Sequence, residues 1–559
     1  MSASALTRLG TINGTVLSNG IEQFLGVPFA RPPRRFEDPV DWTEPFPHGG
    51  LNAQQHQDVC VQPTDRTQQK WIGSEDCLYL NIWRRAKLTA YKSPVLLFIH
   101  GGSFVTGGGL EYNSSVLAAK HAAIYVTINY RLGALGFANF APGHANFGLR
   151  DQRSAMRWVQ HHIESFGGDR GRVLVFGESA GAISIGLHLL TPLSRGLFHA
   201  ALMESGMAAA DFASDAQSHA HRFSELAGCA ASLPPAERMT CLQRAPLTLV
   251  CNASRRLIGT GTPLWSSTPS FLWGPSVDAV DVKEAPQRLL RDSTPPLDVP
   301  LLAGVNTDEG SAFAYTFLPD EPLSAPNYTA IVRQLIANFQ AKRVDGGAPR
   351  TANDSVVQRA LELYPAAHVA GADNRPILVA LCTDLTFHCS TRRIARALTR
   401  SSPTRAASAV YLYRFTVRAR DDSSPASWGV SHGSEVPFVF DHGDWVGAVN
   451  SSFTPAEEAI AMFVGDAWAH FAAAGAPLDE SPSVTSDPKQ ADPLVESLVD
   501  PVQSGRSPAA RNMSSVWAPY DPQRDEQVAI VGGPPGARLQ VEKSPRAAAC
   551  DLWTSLGWF

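Results

Sequence analysis

A large α/β fold on a mostly parallel central sheet is what these 559 residues predict, and three observations carry the prediction. Short apolar runs rich in β-branched residues alternate with segments of helical periodicity through the middle of the chain. Polar, Gly-rich stretches follow directly on the ends of several runs, where open parallel sheets keep their chemistry. One of them, Gly177-Glu178-Ser179-Ala180-Gly181, has the form G-x-S-x-G between such a run and a helical segment.

The elements follow in chain order. "PVLLFIH" (94–100) reads as a buried strand ending in a polar loop, and "AAIYVTINY" (122–130) as the next. "GLRDQRSAMRWVQHHIESFG" reads as an amphipathic helix, with Met156, Val159 and Ile163 at helical spacing and Gly167-Gly168 ending it. The run 173–176 is a short strand. After it, Ala182, Ile183, Ile185, Leu187, Leu189 and Leu190 suit a buried helix. "AALMESG" (200–206), "VPLLAGVNTDEG" (299–310) and "VYLYRFTV" (410–417) are further strand units, and 479–510 is a polar surface excursion.

The pattern G-x-S-x-G is weak alone, and a second match, Gly429-Val430-Ser431-His432-Gly433, makes the point. The first match has a buried strand before it and a helix after it. Gly177 and Gly181 let the chain turn sharply, which forces Ser179 into strained geometry with its hydroxyl exposed at a helix N-terminus. The second follows "DDSSPASW" and precedes "EVPFVF", with neither strand nor helix in place, so Ser431 is set aside as a nucleophile.

An activated serine needs a base, an orienting acid and an oxyanion hole. The order serine, acid, histidine that goes with such an elbow singles out late histidines. His432 is favoured over His442, in a solvated "DHGD" turn, and His470, on a helical segment, because glycines flank it. The acid lies between Ser179 and His432. Asp308 and Glu309, at the tip of the 299–310 unit, both qualify. Residue types alone do not choose between them. The amide of Ala180 and amides of the loop "FIHGGSFVTGGG" (98–109) are the candidates for the hole.

Composition narrows the classes. A formal net charge of −5 gives no reason to expect a nucleic-acid partner. No apolar stretch approaches the roughly 18 residues of a membrane span. There is no Pro/Gly/Ser linker and no internal repeat. No signal segment is visible ahead of "ALTRLGTINGTVL", yet eight cysteines and seven N-x-[ST] sequons (Asn13, Asn113, Asn252, Asn327, Asn353, Asn450 and Asn512) point to a secreted glycoprotein rather than a cytosolic one.

Taken together these residues resemble the type-B carboxylesterases, the family that also holds the cholinesterases and some fungal lipases. "SEDCLYLNIW" and "GGDRGRVLVFGESAGAIS" are similar to that family's two signatures. "GVPFARPP", "NYRLGALGF", "NFGLRDQRSAMRWV", "VNTDEG" and "GVSHGSEVPFVF" follow in its order, from about residue 8 to "CDLWTSL". The resemblance implies an α/β-hydrolase fold with helices on both faces of the sheet, and one domain over residues 1–559. It implies Ser179 as nucleophile, Glu309 as acid, His432 as base, and Gly102, Ser103 and Ala180 as the oxyanion hole. Ser103 departs from the pattern, which usually has a glycine there, so its side chain is expected to narrow the acyl side or shift the rate. The resemblance also implies three disulfides, Cys60–Cys77, Cys229–Cys241 and Cys389–Cys550. It leaves Cys251 and Cys382 open, and makes Arg35–Glu75 and Arg131–Asp151 architectural ion pairs.

The implied activity is hydrolysis of a small-molecule carboxylic ester through an acyl-enzyme, with no metal and no cofactor. Acyl transfer or a specialised detoxifying esterase on the same triad is the alternative. A neuroligin-like binding protein is disfavoured because every triad position is occupied. The loop between Cys60 and Cys77, "VQPTDRTQQKWIGSED", is short and mostly polar, with Trp71-Ile72 its only apolar pair. It presents no large greasy flap to an oil surface. Trp71 is expected to pack the loop against the rim rather than to serve as a cation site. Small or medium, uncharged esters are therefore the expected substrates. Nothing in the sequence sets the oligomeric state.

Overall fold

The computed structural model describes residues 2–64, 70–86, 91–206, 216–230, 232–258, 272–291, 297–318, 321–342, 353–369, 371–401, 409–441, 453–476, 517–521, 527–532, 540–543 and 546–555. These residues form a 13-stranded sheet. Its main strands in chain order are β1 (Ser2–Thr7), β2 (Gly10–Val16), β3 (Ile21–Pro28), β4 (Tyr79–Arg85), β5 (Ser93–Ile99) and β6 (Ile124–Ile128). They continue with β7 (Gly168–Glu178), β8 (Ala200–Glu204), β9 (Leu301–Asn306), β10 (Val410–Phe415), β11 (Gln527–Val531) and β12 (Gln540–Lys543). Across the sheet the order is β1-β2-β3-β4-β6-β5-β7-β8-β9-β10-β11-β12, with Gly50–Asn52 paired beside β2.

Pairing is parallel from β6 through β5, β7, β8, β9 and β10 to β11. It is antiparallel at both margins, from β1 to β6 and between β11 and β12. The fold is therefore the α/β-hydrolase architecture the sequence predicts. The runs near 94, 122, 173, 200, 299 and 410 are its parallel strands, and the antiparallel margins are an addition that reading lacked. The excursion at 479–510 lies outside the described residues.

A parallel sheet must be covered on both faces, and the strand sequences show how. Along β5, Val95, Leu97 and Ile99 join one core with Met156 and Val159 of α1 (Phe147–His162) and Ile183 and Ile185 of α2 (Ala180–Leu190). The alternate residues Leu96 and Phe98 join the other core, with Val464, Trp468 and Phe471 of a later helix, Pro455–Ala474. Each fully buried side chain of this kind contributes about 1.5–3 kcal/mol. Beyond α3 (Ser311–Phe317), a third cluster gathers α4 (Ala325–Lys342), α5 (Asp354–Leu363), α6 (Arg375–Thr383), the π-helical turn Asp384–His388 and the start of α7 (Cys389–Ser401). The Pro455–Ala474 helix is α8, opened by a Thr454/Glu457 capping box with Pro455 at its first turn and closed by Gly475 in a left-handed conformation. The last element is α9 (Ala547–Ser555).

Three disulfides are formed, Cys60–Cys77, Cys229–Cys241 and Cys389–Cys550, while Cys251 and Cys382 are buried and free. Arg35 donates to Glu75, and Arg131 to Asp151 at 2.7 Å. Among the described residues no helix is long and apolar enough to cross a membrane.

Candidate active site

The carboxyl ends of β5, β7 and β9 bring the predicted residues together. Ser179 stands between β7 and α2 with φ 53° and ψ −119°, a left-handed backbone that an L-residue adopts only under constraint. The constraint is the neighbouring strand. A Cβ at Gly177 would lie 2.5 Å from the Ile99 carbonyl oxygen, and one at Gly181 only 1.9 Å from it. Both glycines are thus required for β5 to pass this close to the turn. The Ser179 amide donates to the Glu204 carbonyl at 2.9 Å, which fixes the turn to β8.

His432 reaches the serine from the loop after β10. Its Nε2 lies 2.8 Å from Ser179 Oγ and its Nδ1 2.7 Å from Glu309 Oε2. Asp308 and Glu309 divide as adjacent residues must. Glu309 is fully buried, and its other oxygen accepts from the Asn306 amide at 2.7 Å and from the Ser205 hydroxyl. Asp308 instead accepts the Val430 amide at 2.9 Å and so grips the backbone of the histidine loop. Asn306 Nδ2 donates to the Ser431 carbonyl at 2.9 Å and to Glu435, a second grip on that loop. Ser431 lies inside the loop, its hydroxyl 3.3 Å from that of Ser434. His470 lies on α8 against the Ala476 carbonyl, and His442 lies outside the described residues.

The loop after β5 lies against this turn: a Cβ at Gly101 would sit 3.1 Å from Ser179 Cβ. Gly102, Ser103 and Phe104 take φ values of 99°, 56° and 61°. Ser103 thus holds a left-handed backbone that a glycine would hold without strain, at roughly 1–2 kcal/mol. The Gly102 carbonyl accepts from the Val105 and Thr106 amides at 3.0 Å each. The Gly102 and Ser103 amides donate to no group among the described residues. Ala180 opens α2, so its N–H has no intrahelical acceptor. His100 anchors the loop from below, stacked on Tyr130 at 4.4 Å, with burial pushing it down to about 4 and keeping it neutral.

The electrostatics are unusual in sign. Burial would lower the His432 pKa, but the carboxylates of Glu178, Glu309 and Glu435 outweigh it and push it up to about 9. Glu178 Oε1 lies 3.2 Å from His432 Nε2. Burial raises Glu178 itself to about 8; the His432 charge opposes this, while Glu435 and Glu309 add to it. Burial and the Glu309 charge likewise raise Glu435 to about 7. Glu178, Ser205, Asn306 and Glu435 were not singled out from the sequence. All four sit within motif or strand-end stretches that the sequence marks, and only the fold reveals that they converge.

Trp71 packs in a cleft with Val61, Val105, Leu132, Leu135 and Val250. Its Nε1 is buried with no hydrogen-bond partner among the described residues.

A mostly parallel α/β sheet with a serine elbow, a histidine loop and a glycine-rich loop at one edge is the α/β-hydrolase arrangement. The chain belongs to the carboxylesterase family, whose model matches residues 2–553. It is similar to an acetylcholinesterase of Danio rerio, 31% identical over 606 aligned positions that cover 98% of this chain and 87% of that one. It is also similar to the crystal protein of Dictyostelium discoideum, 33% identical over 77% of this chain and 75% of that one. An acylcarnitine hydrolase of Mus musculus is 31% identical over 85% and 83% of the two chains. The protein is a carboxylic ester hydrolase.

Proposed function

We propose that this esterase works through a Ser179–His432–Glu309 triad and an acyl-enzyme. The observation that carries the proposal is the unbroken hydrogen-bond chain, 2.8 Å from serine to imidazole and 2.7 Å from imidazole to carboxylate. Ser179 Oγ attacks the ester carbonyl carbon while His432 Nε2 takes the hydroxyl proton. The carbonyl oxygen becomes an oxyanion facing the amides of Gly102, Ser103 and Ala180, each donor stabilising it by several kcal/mol. Collapse of the tetrahedral species breaks the C–O bond, and the imidazolium hands its proton to the leaving alcohol. Water, deprotonated by the same imidazole, then attacks the acyl carbon; the carboxylic acid leaves and Ser179 recovers its proton. Glu309 holds Nδ1–H and balances the imidazolium charge.

Small or medium, uncharged esters are the proposed substrates. The names of the relatives point to acetylcholine, to acylcarnitines and, for a mouse pyrethroid hydrolase 31% identical over 85% of this chain, to pyrethroids, so they span charged and uncharged esters. The apolar lining of the Trp71 cleft, with Val61, Val105, Leu132, Leu135 and Val250 and no carboxylate, supports the uncharged class. The chain is further read as one domain and as a secreted glycoprotein. Three formed disulfides and the exposure of all five described sequon asparagines (Asn13, Asn113, Asn252, Asn327 and Asn353) support this.

A p-nitrophenyl ester series of increasing chain length, with wild type beside Ser179→Ala, tests the reading. Turnover that is greatest on short and medium chains and vanishes in the variant is expected. A clear preference for acetylthiocholine or for emulsified long-chain triglyceride overturns the substrate class. Mass spectrometry of the protein from its natural host tests the compartment; bare asparagines there count against secretion.

A further inference from the structure

We propose that Phe387, presented by the π-helical turn and held there by the C-terminal segment through Asp384, is a positioning residue for the His432 imidazole. The inference rests on the reading of His432 as the base and goes beyond it.

Two hydrogen bonds, one at each nitrogen, fix the line from Nδ1 to Nε2. They leave the ring able to rock about that line, which keeps Nε2 in place but swings its in-plane lone pair away from the Ser179 hydroxyl. Faces must therefore be supplied by packing. Phe387 lies 5.0 Å from the imidazole, centroid to centroid, and Phe313 5.3 Å; the two phenyl rings are 5.8 Å apart. Phe313 comes from α3, immediately after the acid. Phe387 comes from far along the chain and is only 1% exposed.

Its delivery is unusual. The helical segment from Arg375 to Ser401 is regular except at Asp384–His388, where the turn widens to the π form. Such insertions are rare and concentrate at functional sites. The turn is fastened from both sides. Thr383 Oγ1, just before it, accepts the Gly310 amide at 2.9 Å, which ties it to the loop of Glu309. Asp384 accepts from the Tyr364 hydroxyl at 2.6 Å and from Arg546 Nε at 3.0 Å. Cys389, directly after the turn, is linked to Cys550 of α9, and Trp553 of that helix stacks on Tyr364 at 6.1 Å. The C-terminal segment thus holds the wall against which the base rests, without touching the reacting atoms.

The test uses the full-length enzyme and steady-state kinetics on a soluble p-nitrophenyl ester, with active-site titration to count competent sites. Per titrated site, Phe387→Ala should lower kcat roughly ten- to a hundredfold with KM unchanged within about twofold, the signature of a displaced base. Phe387→Leu, which restores apolar bulk, should recover most of the loss. Tyr364→Phe, which removes one tie on Asp384, should lower kcat about threefold in the same pattern. Phe387→Ala with unchanged kcat per titrated site, and only fewer competent sites, overturns the proposal by making the ring a plain core residue. Should Phe387→Ala yield no folded protein, Tyr364→Phe decides: a lowered kcat per site supports the clamp, and an unchanged one overturns it. Ser179→Ala runs alongside. An active Ser179→Ala sinks the triad reading itself, whereas an inert one beside a fully active Phe387→Ala sinks only this inference.

Discussion

The same five-residue pattern occurs twice in this molecule, at Gly177–Gly181 and Gly429–Gly433, and the two copies do different things. In the first, the glycines sit under a backbone: the Ile99 carbonyl leaves no room for a Cβ at either, and the serine between them is the strained residue, at φ 53°. In the second, the glycines themselves carry the left-handed backbone, at φ 63° and 82°, and Ser431 is not among the residues of positive φ. There the chain bends to hold a histidine against a carboxylate. The segments after the two patterns differ too. Gly181 is the second residue of an 11-residue helix, whereas Gly433 precedes only a four-residue turn of helix at Val436–Val439. A serine flanked by glycines is thus neither exposed nor strained by its pattern. The strand packed beside it decides.

The sharpest way to break this comparison is to exchange the roles of the two serines. Ser179→Ala should lower kcat by roughly 10⁴-fold or more, as removal of a serine nucleophile does elsewhere. Ser431→Ala removes one hydroxyl contact at 3.3 Å and should leave kcat within about threefold of wild type. Assay of both on one p-nitrophenyl ester decides; if Ser431→Ala is the inert variant, the elbow has been misassigned.

The two carboxylates at the end of β9 come next. Glu309→Gln keeps the shape but cannot balance an imidazolium, and a loss of roughly 10³- to 10⁴-fold in kcat is expected. Asp308→Asn weakens the grip on the Val430 amide, and a loss of about tenfold or less is expected from one charge-assisted hydrogen bond. Equal losses would mean that holding the histidine loop matters as much as the acid does.

How much of this was legible in the sequence depends on what each residue needs. Ser179 and His432 could be read because their neighbours are glycines that only sharp backbone explains. Glu309 could not be separated from Asp308 by residue type, since both are carboxylates at one strand tip; the resemblance to a family chose it, and in the structure Glu309 contacts His432 while Asp308 contacts the Val430 amide. Glu178, Glu435, Ser205 and Asn306 stayed hidden because a buried polar side chain is defined by its neighbours from other strands. The outermost antiparallel strand, β1, stayed hidden for a weaker reason. The buried side chains of β1 are only Ala3, Ala5 and Thr7, too small to announce a strand. The π-helical turn at Asp384–His388 left no pattern in residue types at all.

The glycines themselves offer a smaller effect. Gly181→Ala would drive a Cβ into the Ile99 backbone at 1.9 Å, and neither strand nor elbow can move aside. A loss of about 3 kcal/mol in unfolding free energy, the upper end for overpacking, is expected. Gly429→Ala meets Asp308 Oδ2 at 2.2 Å and would push that carboxylate off the Val430 amide, so its cost is the left-handed backbone, about 1–2 kcal/mol, plus a lost hydrogen bond of roughly 0.5–1 kcal/mol, a total at or below that of Gly181→Ala. Denaturant unfolding of the two variants gives the ranking, and a reversed order would show that the second loop is the more rigid.

The smallest effect concerns the pH profile, and it probes the residue inside the first pattern that acts on the residue inside the second. As the proposed base, His432 must be neutral to take the serine proton, so activity is expected to rise as pH climbs through its pKa. Glu178, 3.2 Å from Nε2, is the largest of the charges that hold that pKa up near 9, against the opposing effect of burial. Glu178 is itself raised by burial to about 8, so the two groups titrate as a pair: a proton bound by the carboxyl leaves the imidazole neutral. Glu178→Gln removes both the charge and this second proton site. Burial then acts on His432 with less opposition and its pKa falls. The acid limb of kcat/KM should move to lower pH by roughly 1–3 units and become a single one-proton step. The measurement is a pH series of kcat/KM for the variant beside wild type on an ester that does not titrate. An acid limb that stays in place, or moves up, would mean that the Glu178 carboxyl is already protonated and neutral across the working range, leaving Glu309 and Glu435 to set the base.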